Sequence, residues 1–429
     1  MSVPKLRFPE FRDEWEWEVV QLSDLTCLIT KGTTPTSLGF QFIESGINFI
    51  KIESITEYGS IDLSKVAYIS EECDNALKRS QLKENDILFS IAGALGVIAI
   101  VKQDILPANI NQALAIVRLK DQGSLAFISN YFKTQIIQSE IGRIKAGAAQ
   151  PNISLGQLGD FFISLPAMPE QQKIASCLSS IDDLITTQTQ KVEALKTHKK
   201  GLLQQLFPRE GETVPRLRFP EFRNAADWEI HQLGQCLSRH PEYGINAAAV
   251  PYAENLPTYL RITDISEDGQ IRPDQKVSVA KSVTDENYLE DGDIVLARTG
   301  ASVGKAYKYR PKDGRLVFAG FLIRVRPNQK KLNSELLFQF LATEQYWRWV
   351  DFSSARSGQP GINGNEYASL PIQLPPNIKE QQKISSCLSS LDDLITAQTQ
   401  KLETLKTHKK GLMQQLFPAV DEQKDLNHG

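Results

Sequence analysis

Residues Glu170–Pro208, EQQKIASCLSSIDDLITTQTQKVEALKTHKKGLLQQLFP, return at Glu380–Pro418 as EQQKISSCLSSLDDLITAQTQKLETLKTHKKGLMQQLFP, with 33 of 39 positions identical. The repetition is wider than this segment. VPKLRFPEFRDEWE (3–16) returns as VPRLRFPEFRNAADWE (214–229), and KIESITEYGSI (51–61) aligns with RITDISEDGQI (261–271). LKENDILFSIAGALG (82–96) aligns with LEDGDIVLARTGASVG (289–304) with one inserted residue, and QPNI (150–153) aligns with QPGI (359–362). A repeat period of about 210 residues describes two domain-sized units rather than a solenoid. The divergence is uneven: the long segments are nearly unchanged, while the blocks between them share only a skeleton of glycine, proline and apolar positions.

The long segments carry a heptad. Ile174, Leu178, Ile181, Ile185, Gln188, Val192, Leu195, Lys199, Leu202 and Leu206 alternate steps of four and three. Ile384, Leu388, Leu391, Ile395, Gln398, Leu402, Leu405, Lys409, Leu412 and Leu416 repeat them. A sustained 3.5-residue apolar period predicts a coiled-coil seam, and its polar members can fix register at some cost in stability. Each helix is expected to run about 37 residues, roughly 55 Å. The two seams share one pattern, so each is a natural partner of the other. The preferred arrangement is antiparallel pairing within the chain; pairing between chains into a homodimer fits the same pattern.

The blocks at 17–166 and 230–376 alternate short apolar runs with Gly, Pro, Asn and Asp turns, as mixed α and β domains do. An amphipathic helical pattern closes each block, over 125–144 and 334–350. The expected divisions are a leading segment 1–16, a first block 17–166, a central helical region 167–213, a repeated leading segment 214–229, a second block 230–376, a distal helix 377–418 and a tail 419–429. The longest uncharged apolar run, Ile87–Val101, is too short to span a bilayer as a helix and reads as strand, turn and strand. No apolar leader is seen, and five separated cysteines without a CxxC argue against disulfides and structural zinc, which points to the cytoplasm. A net charge of −3 gives no global basic footprint.

Several motifs carry no chemistry of their own. TGASVGKA (299–306) is one residue short of a phosphate-binding loop, and Ala306 stands where a Mg²⁺-holding hydroxyl is needed. Asp182-Asp183 and Asp392-Asp393 diverge by about 100° on a helix, which fits a polar docking face better than a metal site. No methyl-transfer, helicase or nuclease motif is found.

The paired PEFRxxW segments, the IxLPxxPEQQKI junctions, the IDDLI/LDDLI helices and the LKxHKKGLxQQLFP endings resemble the specificity subunits of type I restriction–modification systems over nearly the whole chain. The resemblance implies an α+β fold. Two α/β target-recognition domains with twisted mixed sheets are separated by two long antiparallel coiled-coil helices, in a pseudo-two-fold tandem repeat. It implies a non-catalytic subunit that binds double-stranded DNA at a bipartite asymmetric site. Its partners would be two copies of a modification (methyltransferase) subunit, with restriction/translocase subunits in the full complex and no membrane. No cofactor is expected in this chain; S-adenosylmethionine, ATP and Mg²⁺ would belong to the partners. Half-sites of roughly 3–5 base pairs flanking a gap of roughly 5–8 are what the resemblance implies together with one-turn spacing on B-DNA. A stand-alone DNA-binding regulator and a coiled-coil structural adaptor are the competing readings.

Base readout needs Arg, Lys, Asn, Gln, Ser, Thr, Asp, Glu or a comparable polar group on loops that reach a groove. Polar positions in shared frames that differ between blocks are the candidates: Lys51, Glu53 and Ser54 against Arg261, Thr263 and Asp264. Early turns supply Lys31, Thr33 and Thr34 in the first block and Arg239, Tyr243 and Asn246 in the second. Late loops supply Lys145, Gln150 and Asn152, and Arg356, Gln359 and Asn363. Ten basic residues against one acid lie between Arg298 and Lys331, among them Arg298, Lys305, Lys308 and Arg310. They form a candidate phosphate-tracking stripe or a lysine-guarded strand edge.

Overall fold

Both repeats end in an uninterrupted helix of 39 residues, Met168–Leu206 and Ile378–Leu416, about 58 Å each at 1.5 Å per residue. The computed structural model describes residues 3–56, 59–146, 151–272, 275–355 and 360–418. Pro169 lies in the first turn of the first helix, where a missing N–H costs nothing, and Pro208 follows its end. Asn377 caps the second helix by accepting from the Lys379 N–H at 2.9 Å. Every heptad position is buried or half-buried, whereas the neighbouring Leu184 and Leu394 are exposed.

The chain divides into two units, residues 1–188 with 401–429, and residues 189–400. Each unit thus combines one mixed α and β block with the start of one long helix and the end of the other. In the first unit, Ile174 and Leu178 share a core with Leu416 and Phe417. In the second, Ile384 and Leu388 share a core with Leu203, Leu206 and Phe207. Within each unit the helices therefore pair start to end, in the antiparallel sense. The seam lysines find specific partners: Lys409 bonds Asp182 at 2.6 Å in the first unit, and Lys199 bonds Asp392 at 2.6 Å in the second. Asp182 and Asp392 are thereby drawn into the helix pairing, and Asp183 and Asp393 stay exposed.

The block folds repeat. In the first unit a four-stranded sheet runs Thr26–Lys31, Leu114–Leu119, Ile87–Ser90, Ile98–Ile100. A three-stranded sheet runs Ala67–Ile69, Ile47–Ile50, Ala108–Ile110, the last pair parallel. In the second unit the matching sheets run Glu242–Tyr243, Leu322–Val325, Ile294–Ala297, Ala306–Lys308, and Ala249–Pro251, Val277–Val279, Thr258–Leu260, Leu316–Phe318. The central strands Ile87–Ser90 and Ile294–Ala297 are buried throughout, because both sheet faces are covered. Alternate side chains serve different cores, as a period of two requires. Ile87 and Phe89 face the helix core, and Leu88 packs with Ile50 and Ile110 of the second sheet.

The helical pattern closing each block is two helices, not one: Leu125–Phe132 and Gln135–Ala146, then Ser334–Phe340 and Glu344–Ser354. The break in the second block is set by Thr343, whose hydroxyl caps the next helix by accepting from the Tyr346 N–H. A threonine that offers its oxygen to a free helical N–H starts a new helix more readily than it continues an old one.

The leading segments clasp the helices. Arg7 forms two hydrogen bonds to the Glu170 carboxylate, both 2.8 Å, and donates to the Glu14 and Trp15 carbonyls. Arg218 does the same with Glu380 at 2.7 and 2.9 Å and with the Ala225 and Ala226 carbonyls. Adjacent backbone holds the end of the other helix: the Leu6 N–H donates to Gln415 and the Leu217 N–H to Gln205, both at 2.9 Å. Trp17 meets Phe417 edge-on, and Trp228 meets Phe207. Among the described residues no helix is long and apolar enough to cross a membrane, and no cluster of metal-ligating side chains occurs.

Candidate nucleic-acid interface

One backbone frame occurs in both units. In the first, Gly32 N–H donates to Leu114 at 3.3 Å, Ile91 N–H to Ala113 at 2.8 Å, and Ile153 N–H to Ile91 at 2.9 Å. In the second, Gly244 N–H donates to Leu322 at 3.3 Å, Arg298 N–H to Phe321 at 3.0 Å, and Ile362 N–H to Arg298 at 2.8 Å. The TGASVG turn belongs to this frame, since Gly300 N–H donates to Pro360 at 3.1 Å. Glycine is required where the early turn crosses the neighbouring strand. A Cβ on Gly32 would lie 1.9 Å from the Ile110 oxygen, and one on Gly244 2.3 Å from the Phe318 and Ala319 oxygens. Backbone cannot yield cheaply to such contacts, so Gly32→Ala and Gly244→Ala are each expected to destabilise their own block by about 1–3 kcal/mol or more. Urea denaturation checks this; an unchanged midpoint would contradict the close approach.

The side chains hung on this frame differ. Lys31 corresponds to Tyr243, Ile91 to Arg298, Ala113 to Phe321, Asn152 to Gly361, and Ser154 to Asn363, by the equivalence of the backbone bonds. Lys31, Asn152, Tyr243, Asn246 and Phe321 are exposed. Thr33 and Thr34 are half-buried, and the Thr34 hydroxyl donates to Gln112. The Arg298 guanidinium lies 4.9 Å from the Tyr243 ring centre, and the Tyr243 hydroxyl accepts from Gly364 N–H at 3.0 Å. The structure therefore brings Tyr243, Arg298 and Asn363 together with Phe321 and with His240, whose Nε2 is 2.9 Å from Asn365 Oδ1. Phe321 and His240 escaped the sequence reading, which looked for charge and amides in shared frames. Asn363 has a structural duty: its side-chain oxygen caps the short helix Gly364–Ala368, as Ser154 caps Leu155–Gly159. Arg239 and Lys145 are exposed. Gln150, Arg356 and Gln359 lie outside the described residues.

Other candidates change character. Ser54 and Asp264 are buried and cannot reach a groove. Each accepts the N–H three residues back, Lys51 at 3.3 Å and Arg261 at 2.8 Å, and closes a short 3₁₀ turn. Arg261 is also tied to Asp264 through a 2.7 Å bond, which raises its pKa further above the ordinary arginine value. Lys51 is 4.5 Å from the Phe42 ring centre, and only Glu53 and Thr263 of this set are exposed.

The basic stretch is mostly neutralised from within. Lys305 pairs with Glu267 at 2.6 Å, Lys308 with Glu335 at 2.7 Å and Arg315 with Asp285 at 2.8 Å. Arg324 is buried between Glu242 and Asp293, Arg326 bonds Asp293 at 2.9 Å, and Arg310 donates to Gln270 at 3.2 Å. The stretch is thus no continuous stripe of free charge. Arg324 and Arg326 in particular hold the sheet together, because a buried cation without its carboxylate is costly.

The sequence matches the profile of the type I restriction modification DNA specificity domain twice, over residues 14–197 and 252–407. It is 24% identical over 435 residues to the type I restriction enzyme MjaVIII specificity subunit of Methanocaldococcus jannaschii, covering 98% of this chain and 96% of that one. It is 33% identical over 135 residues to the EcoBI specificity subunit of Escherichia coli, covering 31% of this chain and 28% of that one. The S subunit of a type I restriction-modification system from M. genitalium, a crystal structure, shares the fold with a TM-score of 0.60 at 16% identity, over 97% of this chain and 99% of that one. With a matching domain in each half of its length, the chain belongs to the type I restriction modification DNA specificity domain family.

Proposed function

We propose that this chain is a non-catalytic DNA-specificity subunit that reads a bipartite, asymmetric site, one half per block. The observation that carries this reading is the repeated backbone frame bearing unlike side chains, Lys31, Ile91 and Ala113 against Tyr243, Arg298 and Phe321. Equal frames present side chains at equivalent places, and unlike side chains select unlike bases. The near-identical helices supply two equivalent docking surfaces, which fits two copies of one modification subunit. Restriction/translocase subunits join in the full complex, in the cytoplasm. S-adenosylmethionine, ATP and Mg²⁺ are carried by those partners.

The paired helices act in this proposal as the spacer between half-sites. A heptad inserted in both adds about 10.5 Å, close to three base pairs of B-DNA. The expected result, read from modified sites in cells with the whole system, is a gap about three base pairs longer with both half-sites intact. An unchanged gap would reject the spacer role. Co-purification with a methyltransferase subunit separates this function from a stand-alone regulator, and salt-sensitive DNA affinity separates it from a structural adaptor.

A further inference from the structure

We propose that Arg298 is a specificity-determining residue that reads a guanine in the half-site of the second block. The inference rests on the proposed DNA-specificity function and names one contact within it. Five arginines lie between positions 298 and 326, and four are engaged by side chains of this chain: Arg310 by Gln270, Arg315 by Asp285, Arg324 by Glu242, Arg326 by Asp293. The Arg298 guanidinium has no hydrogen-bond partner among the described residues, and its Nε is closed off from solvent. Its residue is only half-buried, so the terminal nitrogens form the reachable edge.

The group is held ready. Its backbone is pinned on both sides, by the Phe321 carbonyl and the Ile362 N–H. Its guanidinium faces the ring of Tyr243, whose hydroxyl is fixed by Gly364. An arginine whose plane is set by an aromatic face offers a rigid two-donor fork, the geometry that matches guanine O6 and N7. The same fork also fits a phosphate, and dependence on the identity of one base pair is what separates the two contacts. In the first block the equivalent residue is Ile91, which is buried and has no donor, so that block cannot make this contact.

The test uses the complex with its modification subunits and duplexes in which each base pair of the site is varied in turn. The native complex is expected to prefer guanine at one position of the second half-site by roughly 5- to 150-fold. Arg298→Ala should erase that preference alone, leaving the first half-site as an internal check of folding. Arg298→Lys keeps the charge but loses the fork and should erase most of it. Retention of the preference in both variants would overturn the inference. So would a uniform loss of affinity with a salt slope shallower by about one, the signature of a phosphate contact. A native complex that shows no bipartite preference would instead overturn the function on which the inference rests.

Discussion

Replacing residues 230–376 with the corresponding block of a relative of different specificity moves modification to sites altered in one half only. The expected size is large. Each mismatched base pair costs about 1–3 kcal/mol, so three altered positions weaken binding to the old site by roughly 10²- to 10⁶-fold. The exchange is structurally local because the cores are separate. The main core of the first unit draws on Trp17, Phe127, Ile174, Leu416 and their neighbours and on no residue of the exchanged block. The incoming block must reproduce the apolar face of Leu336, Leu337 and Phe340, which share a core with Leu203, Leu206 and Leu388, and the hydrogen bonds that join Asn333 to Gln381 and Gln339 to Asp392. Sequencing of modified sites reads the outcome, and a change in both half-sites would contradict the division of labour.

Glu170→Ala is expected to lower stability by about 3–5 kcal/mol, because it strands a buried arginine. Arg7 is 8% exposed and Glu170 1%, so water cannot replace the lost partner. For a unit of this size that is a fall of roughly 6–20 °C in its melting transition. Glu380→Ala should do the same to the other unit, where Arg218 and Glu380 are 6% and 1% exposed. Arg7→Lys should not rescue, since one ammonium cannot supply the paired bonds to the carboxylate and those to the Glu14 and Trp15 carbonyls. Calorimetry of the three single variants checks this, and losses below about 1 kcal/mol would place the clasps with ordinary surface pairs.

The repeat and the heptad were legible because they are local patterns. The seam pattern alone does not choose between the preferred antiparallel pairing within the chain and pairing between chains, because both seams have one spacing. The choice is decided by partners such as Asp182 for Lys409, 227 residues apart. The Arg7–Glu170 clasp, 163 residues apart, was hidden for the same reason. Ser54 and Asp264 misled in an instructive way. A difference between copies resembled a difference in readout, yet either side chain can accept the same backbone N–H, so the exchange preserves one turn. The basic stretch misled because a count over neighbouring residues cannot see Glu242, Glu267 and Glu335, which lie outside it and neutralise it. Arg298 stands out only once those pairs are known.

The most direct measurement is the sequence of every modified site in DNA from cells that carry this chain with its partner subunits. One asymmetric motif with two unlike specific halves around a fixed gap is the expected result. A continuous motif, or two identical halves, would contradict the assignment of one unlike reader to each copy of the frame.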